Sequence, residues 1–195
     1  MKNVQFLNIP FNILAPNVTI DHFSKDRIAN VNWQESFSQE LLDFFEQHNL
    51  KIIHAESFFN KAGTLKTTIH IDSDSGDYTK INFIYGNGSS EMCWYRIKEG
   101  VIVMPVLTAI NTRAIQLTDR QVTLIESRSL TQPALVQVGI PHNIVNLSED
   151  RLCLSIVFVD KLTNRRPTIA ESCKIFKSIL ASTPEIEILC DTISD

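Results

Sequence analysis

The stretch TTIHIDSDSGDYTKINFIYGNGSSEMCWYRIKEG, residues 67–100, carries the clearest structural signal in the chain. Three short runs rich in β-branched and aromatic residues, TTIHID, YTKINFIYG and EMCWYRI, are separated by SDSGD, GNGSS and KEG. The separators are turn-formers: glycine reaches positive φ, and Asp, Asn and Ser bond their own backbone. The same texture continues through VIVMPV, QVTLIE, ALVQV and RLCLSIVFV, as far as residue 159. Seven or more strands at this spacing predict a sandwich, jelly roll or small barrel. GNGSS reads as a hairpin turn rather than a phosphate loop, because no helical pattern follows it.

Outward from this centre the periodicity changes. VQFLNI near the N-terminus is strand-like and leads into a loop around Pro16. NWQESFSQELLDFFEQHN then predicts a helix over about 33–48, with Asn32 as its cap and Glu35 as the return partner. Phe37, Leu41, Phe44 and Phe45 fall on one face of it. Beyond the strands, TIAESCKIFKSIL predicts a closing helix over about 168–180. Thr168 and Glu171 form its capping box, and Ile169, Cys173, Phe176 and Leu180 its packing stripe. No repeat, low-complexity tract or linker divides the chain. The expectation is one domain over 1–195, a mostly β core of about 50–160 flanked by N- and C-terminal helices.

Composition excludes several classes. With 195 residues, 44% apolar and 21% charged, the chain reads as folded and soluble. A net charge of −4 gives no general attraction to nucleic acid. No apolar run approaches the roughly 20 residues needed to span a membrane. Asn3, Gln5, Asn8 and Asn12 interrupt the N-terminal apolar residues, which makes a poor signal peptide. Cys93, Cys153, Cys173 and Cys190 are far apart and show no CxxC spacing, so reduced thiols and a cytoplasmic location are expected.

The five histidines separate by context. His48 ends the first helix, where its ring suits the last carbonyls. His22 lies in a loop and His54 beside an apolar strand, and neither has a carboxylate at ligand spacing on a clear face. His70 differs. Strand side chains alternate, so Thr68, His70 and Asp72 share one face while Ile69 and Ile71 share the other. A strand with its polar side in water would give the same pattern. A second cluster sharpens it: His142 follows His70 by 72 positions (142 − 70), and Arg151 follows His142 by nine (151 − 142). Two histidines and one carboxylate on one face of a metal leave coordination positions open for a co-substrate and dioxygen. Arg151 shares a strand face with Cys153, Ser155 and Val157, and an arginine aimed into a core calls for a carboxylate partner.

HID at 70–72, His142 and Arg151 resemble, in type, order and spacing, the iron(II)- and 2-oxoglutarate-dependent oxygenases, whose fold is the double-stranded β-helix, a jelly roll. PHNIVNLSEDRLCLS looks like the end of the core in aspartyl/asparaginyl β-hydroxylase-like and phage-type members, and the likeness spans residues 65–160. The resemblance implies that His70, Asp72 and His142 bind Fe(II) and that Arg151 holds the far carboxylate of 2-oxoglutarate. A substrate would be hydroxylated with dioxygen, releasing succinate and carbon dioxide. Many members carry Arg-x-Ser, whereas here Ser155 stands four residues after Arg151. The implied partners are a small-molecule or peptide substrate and dioxygen, with neither nucleic acid nor membrane, and a homodimer is compatible with the class. GIPHNIVN also resembles the second cupin motif, with Gly139, His142 and Asn146 in place. The first cupin motif needs His-x-His and a following Glu, which the chain lacks before SDSGD. A cupin-like metal protein that does not use 2-oxoglutarate is the alternative, and a metal-free jelly roll a third.

Further pocket candidates come from neighbouring strands. Lys80 and Asn82 share a face with Tyr78 and Ile84, and facing inward they would bind co-substrate or substrate. Trp94 and Tyr95 point to opposite sides of a regular strand, one into the core and the other towards a substrate entrance. The polar segment 107–121 fits either a lid or an outer strand.

Overall fold

The computed structural model describes residues 3–72, 78–86, 90–107, 113–145 and 148–181. The chain begins with β1 (Val4–Phe6), β2 (Ile28–Asn30), α1 (Trp33–Ser36), α2 (Gln39–Gln47) and β3 (Leu50–Asn60). Four strands follow: β4 (Ile69–Asp72), β5 (Thr79–Gly86), β6 (Glu91–Ile97) and β7 (Pro105–Leu107). Then come β8 (Arg113–Leu117), β9 (Val122–Ser129), β10 (Ala134–Gln137), β11 (His142–Val145), β12 (Arg151–Asp160) and α3 (Ile169–Ile175).

The strands form two six-stranded sheets, ordered β1-β10-β5-β12-β3-β2 and β7-β8-β4-β11-β6-β9. Every pairing between these strands is antiparallel. The pairs are nested in sequence: β3 with β12, β4 with β11, β5 with β10 and β6 with β9. The two halves of the chain thus run as one long hairpin whose successive strands alternate between the sheets. That winding is a jelly roll, as expected from the strand spacing.

Most of the apolar packing lies outside the sandwich. On β12, Leu152, Leu154, Ile156 and Phe158 turn away from the second sheet. Leu154, Ile156 and Phe158 join Leu41, Phe44 and Phe45 of α2, Ile169 of α3 and Phe176 in the largest buried cluster. A second cluster, with Trp94, Met92, Leu130, Val136 and Val138, seals the sandwich along one side. A third, Ile69, Ile71, Ile115, Leu117 and Val122, covers the outer face of the second sheet. The opposite face of β12, with Arg151, Cys153, Ser155 and Val157, is left to line the interior.

The first helix departs from the expectation. The predicted 33–48 helix is two pieces, because Phe37 is extended (φ −98°, ψ 149°) and pairs with Leu14 in an isolated bridge. Ser38 restarts the helix: its Oγ accepts from Leu41 N at 3.3 Å and donates to Asn12 O at 2.6 Å. Asn32 makes no side-chain cap bond. A tertiary strand contact has overridden helix propensity here, yet Phe37 reaches the same cluster as Leu41, Phe44 and Phe45. The C-terminal capping box is as expected. Thr168 Oγ1 accepts from Glu171 N at 3.3 Å, and the Glu171 carboxylate accepts from Thr168 N at 2.8 Å. The α-helix itself ends at Ile175. Thr168→Ala should lower stability by about 1 kcal/mol, read as a shift in the urea midpoint at unchanged slope.

Candidate metal centre

Strand alternation builds the first half of the site. Ile69 and Ile71 of β4 enter the outer cluster, which aims His70 and Asp72 into the sandwich. β11 supplies the second half, with His142 directly opposite His70 in the ladder. Their rings lie 4.4 Å apart between centroids. Ligand atoms of His70, Asp72 and His142 all fall within 4.8 Å of one another, a set that can hold a metal ion.

Backbone carbonyls fix how the rings present themselves. His70 Nδ1 lies 2.9 Å from Thr68 O, and His142 Nδ1 lies 2.9 Å from Ile140 O. A carbonyl only accepts, so each Nδ1 carries the proton and each Nε2 turns a lone pair inward. His70 Nε2 then faces Asp72 Oδ1 at 3.2 Å, two electron-rich atoms that call for a cation or a shared proton between them. Electrostatics agree. Burial depresses the His70 pKa, but the hydrogen bond and charge of Asp72 outweigh it and raise the value. Burial, reinforced by the neighbouring His70, brings His142 down to about 4, so its ring is neutral at pH 7. Burial pushes the Asp72 carboxyl up, yet Lys80 and the two histidines hold it well below the ordinary range.

Behind the triad lies a buried charged chain. Lys80 Nζ on β5 sits 2.7 Å from Asp72 Oδ2 and 2.8 Å from Glu56 Oε2 on β3. His54 Nε2 lies 3.2 Å from Glu56 Oε1. Burial raises the Glu56 carboxyl, but Lys80 and His54 overcome this and lower it. Lys80 is held above its usual value by Asp72 and Glu56 against a strong burial effect. The carboxylate that His54 lacks in the sequence pattern is Glu56, its neighbour along β3. They are two positions apart on one face of β3, both on the cavity. An i, i+2 His/Glu pair between the apolar runs of this strand was the available signal.

The cavity between the sheets has a volume of about 590 Å³ and brings together every site residue expected from sequence. His70, Asp72, His142, Arg151, Ser155, Lys80 and Asn82 all line it. Arg151, only 3% exposed, opens β12 opposite Asn60 and Gly86. Its Nε has no hydrogen-bond partner, and among the described residues no carboxylate pairs with it. Gly86 makes this approach possible: at φ +102°, a Cβ there would stand 2.3 Å from Asp150 O. Ser155 Oγ donates to Asn82 Oδ1 at 2.7 Å, joining two expected residues into one buried pair.

The remaining candidates find other roles. A bulge separates Trp94 from Tyr95. Trp94 is the core member, donating from Nε1 to Gln137 O at 2.8 Å. Tyr95 packs on the outer cluster and donates to Asn143 Oδ1 at 2.9 Å, so it does not line the cavity. Arg113–Leu117 is an outer strand paired with β4, while 108–112 and Asn146 lie outside the described residues. His48 Nδ1 meets Phe44 O at 2.8 Å, the helix-end role expected of it. Cys93, Cys153 and Cys173 are free thiols, and Cys190 lies outside the described residues. No helix among the described residues is long and apolar enough to cross a membrane. No protein-family model and no curated protein matches the chain.

Proposed function

We propose that the protein is an Fe(II)- and 2-oxoglutarate-dependent oxygenase that hydroxylates an organic substrate. One observation carries the reading. The Nε2 atoms of two histidines and a carboxylate oxygen converge in a cavity that also holds a buried guanidinium for which no carboxylate partner stands among the described residues. His70, Asp72 and His142 would hold the iron, and the two nitrogens and one oxygen suit a divalent ion of intermediate softness. Bound there, iron with 2-oxoglutarate and dioxygen supplies oxidising power sufficient for C–H hydroxylation, with succinate and carbon dioxide as co-products.

The protein's own groups do the positioning. Arg151 would take the far carboxylate of 2-oxoglutarate in the paired geometry guanidinium favours. Asn82, its Oδ1 engaged by Ser155, keeps its amide N–H groups to donate to the same ligand. Lys80 is committed to Asp72 and Glu56, so its part is to fix the Asp72 carboxylate and balance its charge.

The test is anaerobic titration of the purified protein with iron(II) and then 2-oxoglutarate. A visible charge-transfer band, followed by succinate on admission of oxygen, is the expected result. Iron bound without the band or succinate would point to a cupin-like metal protein instead. Arg151→Met should weaken 2-oxoglutarate binding roughly 10- to 100-fold, the loss of one or two charged hydrogen bonds. The same change should leave the ligand-free protein as stable or more stable, since it removes a buried charge that has no carboxylate partner among the described residues. Calorimetric titration and thermal melting read the two effects separately.

A further inference from the structure

The front face of β12 carries one group that the oxygenase reading leaves unused. Cys153 stands two residues from Arg151 on the same side of the strand, and both line the cavity. Each is only 3% exposed. They lie opposite Asn60 and Phe58 of β3, and opposite Gly86 and Ile84 towards the end of β5 remote from Thr79. The guanidinium is short of partners. Its Nε has no hydrogen-bond partner, and the Cys153 thiol is the one titratable group among the described residues that acts on it. A neutral thiol is a poor match for a buried cation, which calls for an anion with oxygen acceptors.

The thiol is enclosed but borders open space. Burial pushes its pKa up, while Arg151 and Lys80 oppose the rise and favour the thiolate. A molecule small enough to enter the cavity of about 590 Å³ reaches the sulfur, and hydrogen peroxide is of that size. In a first step the sulfur attacks one peroxide oxygen, the O–O bond breaks, and a sulfenic acid and one water form. A second peroxide converts the sulfenic to a sulfinic acid and releases a second water, each step moving two electrons from sulfur to peroxide. Among the described residues no other thiol stands by to intercept the sulfenic acid, since neither Cys93 nor Cys173 lines the cavity. A sulfinic acid is ionised at neutral pH, and its two oxygens suit the guanidinium fork as a carboxylate does.

We infer that Cys153 is an oxidation site: peroxide entering the empty cavity converts it to a sulfinate that pairs with Arg151 and takes the place of an incoming carboxylate. The inference rests on the oxygenase reading for the identity of that carboxylate, 2-oxoglutarate, but not for the pairing. A carboxylate already on Arg151 neutralises the guanidinium and covers the sulfur, so an occupied cavity protects the thiol. The idle protein is thereby shut and the working one is spared. Ordinary thiols do not reduce a sulfinate, so the closure lasts.

The test exposes metal-free protein to millimolar peroxide and maps the thiols by peptide mass spectrometry, with half-buried Cys173 as internal reference. Cys153 should gain two oxygens, and Arg151→Met should slow this about tenfold, the effect of one pKa unit on the thiolate. Cys153→Asp imitates the charge of the product. It should melt close to wild type, whereas Cys153→Asp/Arg151→Met should melt well below either single variant, because a buried anion has lost its cation. Where the aspartate variant fails to fold, peroxide-treated wild type and peroxide-treated Arg151→Met give the same comparison. Peroxide is then removed with catalase, manganese(II) is added, and 2-oxoglutarate binding is followed by calorimetry. The oxidised protein and Cys153→Asp should bind at least about tenfold more weakly than untreated protein, while peroxide-treated Cys153→Ser keeps the untreated affinity. Cys153 left unmodified when Cys173 is fully oxidised, modification as fast in Arg151→Met, melting shifts that simply add, or undiminished binding after oxidation would each overturn the inference. Failure of the untreated protein to bind 2-oxoglutarate would instead defeat the oxygenase reading, and the melting comparison would still decide the pairing.

Discussion

Lys80→Met is expected to destabilise the protein by about 3–5 kcal/mol near neutral pH, the range for breaking a buried ion pair from one side. Lys80 and Glu56 side chains are each 6% exposed, and Lys80 is the cation that both Glu56 and Asp72 face. Methionine keeps the length of the stem but leaves two carboxylates close together in a low-dielectric interior. The pH dependence supplies a sharper test. In the native protein both carboxyls are held below their ordinary range. Their contribution is therefore present above the unfolded pKa of about 4 and lost as pH falls through the lowered values. Without Lys80, burial and mutual repulsion raise both carboxyls above the unfolded value. Stability of the variant should then increase as pH is lowered from 7 towards 5, and Lys80→Met/Glu56→Gln should recover part of the loss at pH 7. Urea denaturation at the two pH values measures this, and a variant that weakens on acidification would contradict the assigned network.

His142→Ala should reduce divalent-metal affinity by more than about 100-fold, beyond what is typical for disturbing a group that merely orients a ligand. His142 is the partner ligand brought from another strand, and its pKa of about 4 makes its lone pair available across the physiological range. His70→Ala should have an effect as large. Manganese(II) titration followed by paramagnetic resonance reads the affinity directly, and thermal melting gives a second readout. Saturating metal should stabilise the native protein, by about 2.7 kcal/mol at a hundred times the dissociation constant. The variants should show no such shift while retaining the native far-ultraviolet spectrum. An undiminished metal-dependent shift in either variant would remove the triad as the binding site.

Much of this arrangement was legible in the residue order. TTIHID alternates strictly, so the inward aim of His70 and Asp72 followed from strand geometry alone, and the outer cluster of Ile69 and Ile71 explains why. RLCLSIVFV gave its two faces in the same way. What sequence could not supply was the lateral order of the strands. Glu56 matters because β12 stands between β3 and β5, placing Glu56 and Asn82 on either side of Ser155 and His54 and Lys80 on either side of Val157. No local pattern encodes a contact between residues 24 positions apart across an intervening strand. The first helix failed for a related reason: the bridge between Leu14 and Phe37 is a long-range contact that outweighs a good local helix pattern. The role of Lys80 was likewise hidden, since a lysine facing inward suggests a ligand until its two carboxylate partners are seen.

The placement of the main apolar cluster has a consequence for how the protein can change. Leu154, Ile156 and Phe158 anchor β12 from behind, against the helices, while Arg151, Cys153 and Ser155 on its front face touch the cavity. Foldability and chemistry are thus written on opposite sides of one strand, in alternating letters. Front-face positions outside the charged network can be exchanged without opening the packed layer behind them. The scaffold is in this sense modular at single-residue resolution, a frame whose inner surface can be re-tailored to a new guest while its fastening stays in place.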